Sequence, residues 1–75
     1  MFHFTYTDTF GGEPNFSWAE RGDISDANNI KHALRLARKQ IGLTGVKGRI
    51  VADFGDEIHW KPQGFHRIVM VSVKY

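Results

Sequence analysis

Phe2, Phe4 and Tyr6 alternate with His3, Thr5 and Thr7 at the start of the chain. That period of two, in aromatic and β-branched residues, predicts a strand with one aromatic face. Asp8 to Asn15 reads as a loop, because Gly11 and Gly12 permit positive φ and Pro14 cannot donate to a sheet ladder. Phe16 and Trp18 then alternate with Ser17 and Ala19, which predicts a second strand in a hairpin with the first, ended by Arg21-Gly22-Asp23.

The period changes after Asp23. Ala27, Ile30, Ala33, Leu34, Ala37 and Ile41 recur at helical spacing and form one apolar stripe over about residues 26–41. Asp23 or Ser25 is the expected cap, with Asp26 in the first turn favoured by the helix dipole. Arg38 and Lys39 fall in the last turn, and Gly42 is the expected left-handed residue beyond it. Strand patterns return at Arg49–Phe54, Glu57–Trp60 and Phe65–Lys74, separated by Gly55-Asp56 and Pro62-Gln63-Gly64. In the last of these, Phe65, Val69, Val71 and Val73 take one side while Ile68 and Met70 take the other. A strand apolar on both sides belongs at the centre of its sheet or under a second cover. The reading is α+β, in the order β-β-α-β-β-β: a single helix on a mostly antiparallel sheet of about five strands.

Length and composition bound what such a fold does. Seventy-five residues predict one compact domain over 1–75 with a small core. Aromatic content of 13% with 24% charged residues places the chain among folded rather than disordered sequences. With no cysteine there is no disulfide staple and no thiolate metal site. No run of about 18 apolar residues is present to span a membrane, and residues 1–6 lack the basic start and apolar stretch of a signal peptide. The expected location is therefore cytoplasmic.

Charge changes the picture more. The net +2 divides unevenly. Residues 1–30 set Asp8, Glu13, Glu20, Asp23 and Asp26 against Arg21, a balance of −4. Residues 31–52 carry Lys31, Arg35, Arg38, Lys39, Lys47 and Arg49 with no acid, and the remainder is neutral. At about 100° per residue, Lys31, Arg35, Arg38 and Lys39 share one sector beside the apolar stripe. Such a stripe, continued by Lys47 and Arg49, is an electrostatic footprint for an anionic partner, either nucleic acid phosphate or an acidic protein surface. The simpler alternative is a solvated helix face whose last cations favour the dipole.

Candidate chemistry is sparse. His3, His32, His59 and His66 form no pair at metal-ligand spacing, and exposed strand histidines are the simpler account of them. Asp53, Asp56 and Glu57 surround a tight turn, where acids serve geometry and solubility, and they offer too few ligands for an oxygen cage. Gly42, Gly45 and Gly48 do not match a phosphate loop. No acid–base or nucleophile constellation can be assembled, so no enzyme, metal or cofactor is expected. The aromatic face of the first strand could stack bases, but the helix stripe claims it for the core. The opposite sheet face would carry His3, Thr5, Thr7, Ser17, Val51, Ile68 and Met70. Of these, His3, Thr5, Val51, Ile68 and Met70 are candidate contacts for a protein partner or a second copy in a homodimer.

Tyr6-Thr7-Asp8-Thr9-Phe10-Gly11-Gly12-Glu13-Pro14-Asn15-Phe16-Ser17-Trp18, with Ala37-Arg38, Ile41-Gly42-Leu43-Thr44-Gly45 and Gly55-Asp56, resembles small uncharacterised proteins of phages and prophages. In size and one-helix layout the chain is also similar to anti-CRISPR proteins, which occlude a nuclease or its DNA-binding surface. Many of those are acidic mimics of nucleic acid, and this chain is not. The resemblance implies a non-enzymatic inhibitor acting in the host cytoplasm on an acidic surface of a nuclease or defence complex. The basic stripe implies an alternative, a nucleic-acid-binding module.

Overall fold

Alternation and helical spacing translate into six elements in a computed structural model that describes residues 1–75. They are β1 (Phe2–Phe10), β2 (Glu13–Ile24), α1 (Ile30–Gln40), β3 (Gly48–Asp53), β4 (Glu57–Pro62) and β5 (Arg67–Val73). One five-stranded sheet has the order β2-β1-β5-β4-β3, with every neighbouring pair antiparallel. The class and element order match the sequence reading, and β5 occupies the centre as its two apolar sides require. The first hairpin meets the β3-β4-β5 meander through the β1–β5 pairing. That leaves β2 and β3 at opposite edges, so α1 carries the chain from one edge to the other across a single face.

On that face Phe4 stands opposite Val71 and Tyr6 opposite Val69, with Ile58 and Trp60 next on β4. Ala33, Leu34 and Ala37 from the helix close the core over them. Fully burying side chains of this kind stabilises the fold by about 1.5–3 kcal/mol each. The opposite face has no helix, which an antiparallel sheet tolerates if that side is polar.

Several boundaries differ from expectation, the first being the end of β1, which runs on to Phe10 where a loop from Asp8 is expected. β2 starts at Glu13 and runs on to Ile24, through both the predicted loop and the predicted stop. Pro14 is tolerated because β2 is an edge strand. Gly22 continues the pairing because the Phe4 ring lies 2.7 Å from where its Cβ would be. The helix begins at Ile30, capped by Asn29, whose side chain accepts the His32 amide at 2.8 Å. Asp26 therefore lies outside it, and no acid occupies the first turn. Finally, β5 begins at Arg67, so Phe65 belongs to the preceding turn and not to the row of Val69, Val71 and Val73.

Gly48 is the most crowded of the glycines. A Cβ there would lie 2.5 Å from the Lys61 carbonyl oxygen and would overlap the Trp60 ring. Because both backbone and a buried ring would have to move, Gly48→Ala is expected to destabilise the protein by about 1–3 kcal/mol in urea unfolding.

Candidate functional site

The chain leaves α1 through a left-handed Gly42, and the Leu43 amide returns to the Arg38 carbonyl at 2.8 Å. Leu43 is buried, and Val46 bonds back to it, so the segment from helix to β3 is held in shape. The Gln63 amide donates to the Lys47 carbonyl at 2.7 Å and ties the β4–β5 turn to this segment. Between them lies an open groove of about 870 Å³, lined by Arg38, Gly45–Arg49 and Lys61–Gln63. Its charged residues are Arg38, Lys47, Arg49 and Lys61, and it contains no acid.

Register sharpens this. Arg49 and Lys61 are direct cross-strand partners, a like-charge pairing that opposes strand association. Arg38 is half-buried, its guanidinium 4.2 Å from the centre of the Trp60 ring, and it donates to the Val46 carbonyl. Its Nε is buried with no hydrogen-bond partner. None of the four cations forms an ion pair.

The six residues of the predicted stripe are thus divided. Arg38, Lys47 and Arg49 line the groove, and Lys61 joins them. Lys31 and Arg35 border a shallow hollow with Asn28, Asn29 and His32 at the start of the helix. Lys39 borders another hollow with Asp23 of β2 and Asp26 of the β2–α1 connection. Arg38 also departs from the exposed contact expected of it. At about 100° per residue it lies only about 40° from Leu34, at the margin of the apolar stripe, and it turns under onto Trp60. Arg38→Ala is expected to lose roughly 1–2 kcal/mol of stability through the lost stacking and hydrogen bond. Arg35→Ala, at an exposed position, is expected to stay within about 0.5 kcal/mol in the same thermal or urea melts.

The predicted sheet-face contacts fare differently. His3 is engaged with Asp23 at 3.1 Å, and Lys74 reaches the same carboxylate at 3.1 Å. His3 first, then Lys74, holds the Asp23 carboxyl below the usual carboxylate range. Thr5 and Met70 are half-buried cross-strand partners, and Val51 is exposed in a register break of edge strand β3. Ile68 corrects the expectation of an exposed contact: at 3% exposure it lies beside fully buried Thr7 in the middle of the sheet. The face mixes Met70 with hydrogen-bonded polar side chains, His59 among them, held by Glu57 at 2.7 Å.

A second surface feature was not anticipated. At the far end of the first hairpin, Phe10, Phe16, Trp18 and Phe65 are 80%, 52%, 40% and 45% exposed. Trp18 packs edge-on to Tyr6, and the Arg67 guanidinium lies 5.5–5.9 Å from the Tyr6, Trp18 and Phe65 rings. Arg67 donates to the Tyr6 hydroxyl at 2.8 Å. Phe16 has φ +56°, and no other non-glycine residue has a positive φ. A polar clasp holds it there. The Thr7 hydroxyl donates to the Trp18 carbonyl and accepts the Phe16 amide, while Asp8 accepts from Asn15 and from the Ser17 amide and hydroxyl.

These bonds hold the Asp8 carboxyl at about 2, below its ordinary 3.8, with the Ser17 hydroxyl the largest cause and Asn15 next. A carboxyl depressed on folding contributes stability above its unfolded value and loses it as pH falls through the folded one. The difference in stability between wild type and Asp8→Ala is expected to be full at pH 5–7. It should shrink between about pH 4 and pH 2, as followed by thermal unfolding across that range.

No group of three histidine or acidic side chains is close enough to hold a metal ion. No helix is long and apolar enough to cross a membrane. No family model, curated protein or solved structure matches the chain.

Proposed function

We propose that this is a small non-enzymatic binding protein that holds an anionic partner in the groove between the exit of α1 and the β3–β4 edge. The supporting observation is the direct opposition of Arg49 and Lys61, with Lys47 and Arg38 beside them and no carboxylate to compensate. Like charges placed across a strand pair weaken it, and an anion laid over them relieves that repulsion. The groove offers cations, backbone groups and the Gln63 amide, with no nucleophile–base pair, which supports binding rather than catalysis.

The likeness to phage and anti-CRISPR proteins supplies a setting for that contact. There the protein acts in the host cytoplasm as an inhibitor of a defence complex, its groove seated on an acidic surface of a nuclease. Nucleic acid phosphate is the other partner with the same complementarity, and the exposed aromatic end favours it.

Heparin affinity tests the groove itself. Lys47→Glu/Arg49→Glu is expected to elute at clearly lower salt than wild type. Lys31→Glu/Arg35→Glu, which changes net charge equally, is expected to elute closer to wild type. Equal losses for the two variants, with melting curves showing both folded, would replace the groove with a diffuse charge effect.

A further inference from the structure

The basic groove and the exposed aromatics share one end of the sheet, and a single turn joins them. Gln63 lines the groove and bonds to Lys47, Phe65 two residues later stands exposed, and the His66 carbonyl accepts the Thr9 amide at 2.8 Å. The turn between β4 and β5 is therefore fastened to the groove on one side and to the aromatic hairpin on the other. From this geometry, and resting on the groove as an anion site, we infer that the partner is single-stranded nucleic acid. Its phosphates lie along Lys47, Arg49 and Lys61, above the Arg38 guanidinium held on Trp60, and its bases stack on Phe65, Trp18 and Phe16.

Three observations favour this occupant over an acidic protein surface. Carboxylates would answer the cations but leave the aromatic rings unused. A single strand answers both, because sequence-tolerant binders pair a cationic track for the backbone with ring faces for the bases. Arg67 sits among three rings without an ion pair, giving the stacking surface a planar cation of its own. Phe16 is held by the Thr7–Asp8 clasp in a left-handed conformation that costs about 1–2 kcal/mol, yet its ring stays half in water. The folded protein gains little burial in return.

Charge also gives the strand an orientation. Glu13 and Glu20 bracket Phe16 and Trp18 along β2, so phosphates are repelled there and drawn to the acid-free groove. A duplex presents phosphates to the groove but keeps its base faces stacked, so it satisfies only half of the surface. The molecule measures 31 × 25 × 20 Å, which suits a short site of about 4–5 nucleotides, the low end for small single-strand binders.

Fluorescence anisotropy with labelled oligo-dT and oligo-U of about ten nucleotides, a hairpin duplex and a poly-glutamate peptide tests the inference. Wild type is expected to bind one or both single strands more tightly than the duplex or the peptide. The slope of log K against log salt is expected at about −2 for three neutralised phosphates. Phe65→Ala and Trp18→Ala are each expected to weaken single-strand binding by about 5- to 100-fold while leaving heparin elution unchanged. Phe65 lies on an exposed turn, so its variant carries the test even if removing Trp18 from Tyr6 loosens the hairpin.

Unchanged single-strand affinity in a folded Phe65→Ala, or equal affinity for duplex and single strand, would overturn stacking while the heparin result still supports the groove. Tighter binding of poly-glutamate than of either oligonucleotide would assign the groove to an acidic protein instead. Failure of wild type to bind heparin or any of these probes would remove the groove reading itself.

Discussion

The Trp60 ring is confined on both sides, by the bare Gly48 backbone and by the Arg38 guanidinium. Gly48 leaves room for the ring against β3, and the Arg38 guanidinium over it ties the end of α1 to the same edge of the sheet. The connection between helix and β3 must then pass over the β4–β5 turn, where Lys47 and Gln63 bond. The groove is the space left between these elements. The groove is thus continuous with the core through one tryptophan.

Much of the fold is legible in the sequence because it depends on periodicity. The alternation of Phe2, Phe4 and Tyr6, the stripe from Ile30 to Ala37 and the two-sided β5 each name an element and its buried side. What is not legible depends on position in the sheet. Pro14 reads as a loop residue until β2 is known to be an edge strand. Asp26 reads as a first-turn acid until the Asn29 side chain is seen to take the His32 amide. Ile68 reads as an exposed contact until it is seen in the middle of the sheet beside Thr7.

The candidate site shows the same division. A run of cations without acids is visible in the sequence, but helical angles alone place Arg38 in the stripe that the structure divides. Lys61 falls outside the run and was missed, although a signal for it exists. Pairing the chain symmetrically about Gly55 sets residue 49 against residue 61, so the hairpin itself joins the two cations. The aromatic end carries a weaker signal. Phe16 and Trp18 alternate as an inward row would, and nothing in that alternation says the helix stops short of covering them.

Both edge strands are irregular. In β2 the break spans Asn15 to Trp18 around the left-handed Phe16, opposite the shift between Thr7 and Thr9, and in β3 it falls at Val51. A regular edge offers a row of unpaired amides and carbonyls to any extended chain that comes alongside. Here each edge has one break in that row, which shortens the regular stretch an added strand could pair with. The exposed aromatic residues therefore sit at the end of the sheet, beside a broken edge rather than along a regular one.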